Sequence, residues 1–180
     1  VAEHLIGMLL LLLNGLKKAD TEVRNKIWQR EANRGIELGS LTFGIIGYGI
    51  VGQCVAQTLK GFGCKVLAYD KYKTNYSDEF TQEVSWEQFC KQVDVVSLHV
   101  NYLPQNHHMA NEQFFDAFAK PIYFINTARG NCLKTADLVT AIKNKKVIGA
   151  CLDVLEFEKI DFENELNSPV LNELFSLENV

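Results

Sequence analysis

No two of the five cysteines stand at a CxxC or other metal-type spacing, and their number is odd. A disulfide framework and a cysteine-built metal site are therefore not what organises the chain. Free thiols in a reducing cytosol account for Cys54, Cys64, Cys90, Cys132 and Cys151. No basic patch with interleaved aromatics occurs, which argues against nucleic acid as a partner. The longest apolar run, Leu5 to Leu13, has nine residues, about half of a membrane span. The opening Val1-Ala-Glu-His-Leu lacks both an initiator Met and a basic n-region, so it reads neither as a signal peptide nor as a membrane anchor. A start in mid-helix instead suggests a piece of a longer protein. Internal repeats and low-complexity segments are missing too.

What is present describes a soluble globular domain. The 180 residues are 47% apolar and 22% charged, enough for one sizeable core. The net charge of −4 is unevenly spread: residues 153–180 hold eight acids against the single base Lys159, and the remainder holds 17 bases against 14 acids. The acidic tail is most simply a solvated surface.

The stretch from Leu41 to Asp70 carries the strongest pattern. An apolar run, Leu41 to Ile46, meets Gly47-Tyr48-Gly49-Ile50-Val51-Gly52. A helical stretch with Val51, Val55, Ala56 and Leu59 on one face follows, and Gly61 and Gly63 stop it. A second apolar run, Val66 to Tyr69, ends at Asp70. In a strand–turn–helix–strand unit of this kind, the first glycine permits a tight turn. The second lets the backbone approach a pyrophosphate, and the third lets helix and strand pack closely. Free N–H groups and the helix dipole favour the anion. Asp70 stands where an acid binds the adenosine ribose hydroxyls, and its charge repels a 2′-phosphate, favouring NAD over NADP. An ordinary strand–turn–helix without a ligand is the alternative.

Elsewhere the pattern alternates. Residues 2–32 read as one long helix whose segment Leu5 to Leu13 is apolar on every face, implying burial on more than one side. Lys71 to Glu83 reads as a polar loop. Ser85, with Gln88 in the capping-box position, opens a helix over Trp86 to Gln92. Val93 to Val100 is a third apolar run, and Asn111 caps a helix holding Phe114, Phe115 and Phe118. Ile122 to Ile125 is the fourth run. Thr135 caps a helix over Ala136 to Lys143, and Val147 to Leu152 is the fifth run. Val170 to Phe175 forms a helical turn in an otherwise irregular tail. None of the five runs shows period-two alternation, as expected of strands covered on both faces. The predicted fold is α/β: a Rossmann-type doubly wound parallel sheet with helices on both faces, its strands ordered 3-2-1-4-5 with a sixth wanting.

These assignments bring the chemistry-bearing residues to one place. Gly47, Asp70, His99, the Asn126–Arg129 segment and Asp153 all follow strand ends, and so lie along the carboxyl edge, where open α/β sheets bind ligands. Structural alternatives stand beside each. Asp70 can cap a turn, and His99 can be a hydrogen-bonded edge histidine. His107 and His108 can be solvated, while His4 suits a helix surface or an interface. Arg129 can sit in a structural salt bridge, and Glu156 and Glu158 can be surface charges.

Taken together, AEHLIGMLLLL, GIIGYGIVGQ, AYD, VSLHV, FINTARG and GACLDVLEFE resemble the D-isomer-specific 2-hydroxyacid dehydrogenases over nearly the whole chain. The resemblance implies hydride transfer between NAD and C2 of a 2-hydroxy or 2-oxo acid. It assigns Arg129 to the substrate carboxylate and C2 oxygen, where a planar guanidinium fits. Glu158 would orient a catalytic imidazole, and Asp153 would lie near the nicotinamide carboxamide. Ile50 and Val51 match the pyrophosphate backbone. Asp70 matches the ribose acid, and Val100, Asn101, Asn106, Thr127 and Ala128 match cofactor-lining positions. Asn101 and Lys159 stand where the family usually has proline. The family's general acid–base histidine lies in a TPH motif beyond a segment like Leu177–Val180.

Residues 1–180 are therefore expected to be a cofactor domain that binds NAD(H) and turns over substrate negligibly by itself. The substrate would be a small 2-hydroxy acid, with a lean to 3-phosphoglycerate from REANRG and AYDKYK. A homodimer through the N-terminal helix and a cytoplasmic location go with the family. An NAD(H)-sensing, corepressor-like interaction protein of the same fold is the alternative, and a vestigial nucleotide site is a third.

Overall fold

The computed structural model describes residues 1–156 and 168–180. Two helices open the chain, α1 (Ala2–Leu13) and α2 (Leu16–Arg24). Then come β1 (Thr42–Ile46), α3 (Ile50–Leu59), β2 (Lys65–Tyr69), β3 (Thr81–Glu83), α4 (Trp86–Gln92) and β4 (Val95–Leu98). The series ends with α5 (Glu112–Asp116), β5 (Ile122–Asn126), α6 (Thr135–Lys143), β6 (Val147–Leu152) and α7 (Pro169–Phe175). Among the described residues the strands form one six-stranded sheet, ordered β3-β2-β1-β4-β5-β6, and every pairing is parallel.

Both sheet faces are covered. One core joins Ile46, Val96, Leu98, Ile122 and Phe124 to Phe89 of α4, Phe114 and Phe115 of α5, Leu138 of α6 and Leu174 of α7. The other joins Phe43, Ile45, Val95 and Ile125 to Leu5 and Leu9 of α1 and Val55 and Leu59 of α3. Neighbouring strand residues thus feed opposite cores, which is why the apolar runs show no alternation. The box at α4 forms as expected: Ser85 Oγ accepts from Gln88 N at 3.3 Å, and Gln88 Oε1 accepts from Ser85 N at 3.4 Å.

Four expectations need correction. The strand order read from five apolar runs put Val93–Val100 beyond Val66–Tyr69, at the sheet edge. In the structure β4 lies at the centre beside β1, and the edge belongs to β3. Thr81–Glu83 lies inside the stretch read as polar loop, because a three-residue edge strand needs no apolar run; it buries Thr81.

The long N-terminal helix is two helices. Asn14 caps the first, its Nδ2 donating to the Leu10 carbonyl at 2.9 Å. Gly15, at φ +56°, turns the chain through the left-handed region, the usual way to end a helix. Within the chain, α1 packs one side on the domain: Leu5, Ile6, Leu9 and Leu13 are buried, while Leu11 is 46% exposed. Finally, α6 begins at Thr135 itself with Lys134 as its N-cap.

No helix among the described residues is long and apolar enough to cross a membrane. Leu9→Ala is expected to destabilise the fold by about 2–5 kcal/mol in urea titrations. Leu11→Ala on the exposed side should stay within about 0.5 kcal/mol.

Candidate functional site

Strand register builds the site. Tyr69 pairs with Ile46, Ile46 with Leu98, Leu98 with Asn126, and Asn126 with Leu152. Five strand ends are thereby in line, and Asp70, Gly47, His99, Thr127 and Asp153 follow them along one edge, as the strand assignments implied. Strand order reverses between β1 and β4, the topological switch where open sheets form a crevice.

The β1–α3 turn crosses that crevice. Gly47 has φ +92°, and a Cβ there would lie 2.6 Å from the His99 carbonyl oxygen. A Cβ on Gly52 would lie 2.4 Å from the Gly47 carbonyl oxygen, so only glycine lets α3 dock against the turn. At Gly49 a Cβ would meet no atom within 4 Å. That glycine is not required by packing; its bare backbone faces open space, as close approach by a pyrophosphate requires. No described side chain caps α3, so its first N–H groups are available to an anion. Ile50 and Val51 sit exposed at this helix end.

Asp70 holds the turn from the side. Its Oδ2 accepts the Tyr48 N–H at 2.8 Å, and its Oδ1 accepts those of Tyr72 and Lys73 at 2.9 and 3.0 Å. Burial alone would raise its pKa. The three N–H donors and the Lys73 charge outweigh it and hold the carboxyl below its ordinary range. Asp70 is thus a turn cap and a fixed negative charge at once. The Tyr48 ring anchors the other side: it is buried, stacks on Tyr76 at 4.8 Å, and its hydroxyl meets Thr81 Oγ1 at 3.0 Å.

His99 contributes backbone. Its ring turns inward, with Nε2 2.9 Å from Ser97 Oγ, and burial lowers its pKa to about 4. A neutral, enclosed imidazole is a poor proton donor at neutral pH. The half-buried Val100 borders the Gly47 turn, and Asn106 Nδ2 donates to the Asn101 carbonyl at 2.7 Å, closing the following loop.

The other half of the edge is organised by Asn126, which is fully buried. Its Oδ1 accepts the Ala128 N–H and its Nδ2 donates to the Arg129 carbonyl, both at 3.1 Å. Arg129 is exposed, with Nη1 donating to the Ala128 carbonyl at 2.6 Å. Thr127 Oγ1 is buried and has no hydrogen-bond partner among the described residues. An orphaned buried hydroxyl is unusual and suits a site that receives a polar ligand. Asp153 Oδ1 lies 3.0 Å from His4 Nε2, so α1 also reaches this edge. Glu158 lies outside the described residues.

Sequence reasoning missed Glu156 and His108 as structural parts of the site. Glu156 Oε1 pairs with His108 Nε2 at 2.7 Å, and its Oε2 accepts the Thr135 N–H at 2.7 Å. One carboxylate therefore caps α6 and ties the His108 loop to the chain leaving β6. The Gly130 backbone packs so tightly against this segment that a Cβ would lie 1.7 Å from the Leu155 carbonyl oxygen. The only sequence signal for the pairing was position: Glu156 follows a strand end, as Asp153 does.

Comparison with known proteins agrees with this geometry. Residues 6–180 match the family model described as D-isomer specific 2-hydroxyacid dehydrogenase, NAD binding domain. A D-specific alpha-keto acid dehydrogenase of Enterococcus faecalis is 34% identical over 100% of this chain and 56% of its own length. The D-lactate dehydrogenase of Escherichia coli is 32% identical over 97% of this chain and 54% of its own. Among solved structures, D-2-hydroxyisocaproate dehydrogenase superposes with a TM-score of 0.88 at 32% identity, covering 99% of this chain and 56% of that one. The D-lactate dehydrogenase of Aquifex aeolicus, complexed with NAD and lactic acid, gives 0.87 at 35%, with the same coverage. The chain thus spans about half the length of the curated relatives it matches.

Gly49→Ala is expected to leave stability within about 1 kcal/mol yet weaken NADH binding in fluorescence titrations. Gly52→Ala should lower stability itself. Because His99 has a lower pKa folded than unfolded, the unfolded chain takes up its proton first as pH falls. Stability present at pH 7 is then lost from about 6.5 down to about 4. By pH 5 the loss should reach about 2 kcal/mol, and His99→Gln should remove that part of the slope in urea titrations across pH.

Proposed function

The chain belongs to the D-isomer specific 2-hydroxyacid dehydrogenases, as their NAD-binding domain, and from that premise we propose that Arg129, Asp153 and Glu158 serve hydride exchange at C2 of a small D-2-hydroxy or 2-oxo acid. The observation that carries the reading is the order of polar groups along one sheet edge. Asp70 and the open backbone at Gly49 stand at one end, with the Thr127–Arg129 segment and Asp153 at the other. A long dinucleotide suits that order, its adenosine at Asp70 and its nicotinamide at Asp153. The orphan hydroxyl of Thr127 and the uncapped start of α3 fit the same ligand.

Bound there, the nicotinamide ring supplies or accepts the hydride. The residues of the chain do the rest. Arg129 has five N–H donors in a planar fork, of which one bonds the Ala128 carbonyl. The others suit the substrate carboxylate and draw electron density from the C2 oxygen, making C2 more electrophilic. Asn126 keeps the Arg129 backbone in place, its Nδ2 donating to the Arg129 carbonyl. Glu158 is assigned by its position after Asp153, and would orient an imidazole and favour its protonated form.

The names of the relatives point to unphosphorylated substrates such as lactate and hydroxyisocaproate. They lend no support to 3-phosphoglycerate, and Lys73 of the AYDKYK segment has a different task, bonding the Tyr48 carbonyl. A homodimer through α1 is also proposed, on the exposed side of that helix at Leu11; Leu11→Lys should then yield monomers by sedimentation.

The whole protein should oxidise NADH with pyruvate or a branched 2-oxo acid. Arg129→Lys should lower kcat/KM by about 10–100-fold, the loss of one or two charge-assisted bonds. Saturable NADH binding with no turnover across a 2-oxo acid panel would replace this reading with that of an NAD(H) sensor.

A further inference from the structure

Asp70 sits within positive charge. Lys71 follows it directly, and Lys73 comes two residues later. The Lys73 main-chain N–H bonds Asp70 Oδ1 at 3.0 Å, while its Nζ reaches the Tyr48 carbonyl at 2.9 Å. Its charge also acts on the Asp70 carboxylate. The Tyr48 carbonyl shares its peptide with the Gly49 N–H, and in a trans peptide the two point in opposite directions. Holding the carbonyl therefore aims the Gly49 N–H away from Lys73, from the glycine whose surroundings are open. Gln53 Nε2 supports the same carbonyl more weakly, at 3.4 Å.

We propose that Lys73 is a specificity-determining residue of the cofactor site: its ammonium fixes the Gly-rich turn and is also a latent partner for a 2′-phosphate, which the Asp70 carboxylate keeps out. The inference rests on the NAD-binding reading of this edge and goes beyond it. A carboxylate held by three N–H groups stays charged and in place, and it repels a phosphate that would otherwise meet a lysine. Preference for NAD is then set by a balance of two neighbouring charges rather than by the shape of the pocket. Removal of the acid leaves a cation already tied to the turn, so no new basic residue is needed to admit NADP. A lysine binds phosphate as a point charge, and one charge-assisted bond corresponds to roughly a tenfold change in affinity.

Fluorescence titration of the purified chain with NADH and with NADPH tests this without any turnover. The wild type should bind NADH and discriminate against NADPH. Lys73→Met should weaken NADH through loss of the turn contact. Asp70→Asn should tighten NADPH by about tenfold, with Asp70→Ser as the second variant if the amide upsets the turn. In the Asp70→Asn background, Lys73→Met should abolish the gain and Lys73→Arg should keep it. Equal NADPH affinity in Asp70→Asn with and without Lys73→Met would overturn the role of Lys73 while leaving the NAD site intact. Failure of the wild type to bind NADH would overturn the underlying reading, and this inference with it.

Discussion

The carboxylate of Asp70 holds a loop that has almost nothing of its own to hold it. Gly47, Gly49 and Gly52 give the turn after β1 its shape, and glycine loses more conformational freedom on folding than any other residue. The loop is therefore fixed from outside. Asp70 takes the Tyr48 N–H, Lys73 takes the Tyr48 carbonyl, and the Tyr48 ring is buried against Tyr76 and Thr81. Once the turn is set, Gly52 rests on the Gly47 carbonyl and α3 starts at the crevice with its N–H groups toward it. The short edge strand β3 belongs to this arrangement, because it supplies Thr81.

The same logic operates at the other end of the edge. Asn126 lends both ends of its amide to the backbone of the Arg129 segment, and Glu156 lends both its oxygens to elements far apart in sequence. Buried polar groups are costly unless paired, and these are paired with backbone N–H and C=O groups and, for Glu156 Oε1, with the His108 ring, which rigidifies what they touch. Thr127 Oγ1 is the exception. Among the described residues this buried hydroxyl finds no partner within an otherwise satisfied loop, which leaves it free to bond a polar ligand.

Charge is distributed along the edge in a way that sorts ligands. One end of the edge places Asp70 just before Lys71 and Lys73, and the other carries the exposed Arg129 after β5 and the acids Asp153 and Glu156 after β6. Asp70 is half-buried and Asp153 exposed, which limits the desolvation cost of their charges. His99, the histidine that follows β4, is neutral at physiological pH because burial lowers its pKa to about 4.

By itself the sequence determined the fold class, the alternation of strands and helices, the Gly-rich turn, and the line of Gly47, Asp70, Thr127–Arg129 and Asp153 along the carboxyl edge. Those features follow from local pattern: apolar runs without alternation mark covered strands, and residues after parallel strands share an edge. Tertiary structure alone decided the rest. Thr81–Glu83 joins the sheet because β2 offers it a partner, and that pairing moves β4 to the centre. The N-terminal helix breaks at Gly15, and its apolar surface divides into a buried and an exposed side by contact with the sheet. The Glu156 bonds to His108 and Thr135, and that of Lys73 to Tyr48, join residues 21 to 48 positions apart. No periodicity encodes such pairs, because they arise only where the folded chain brings separate loops to one edge.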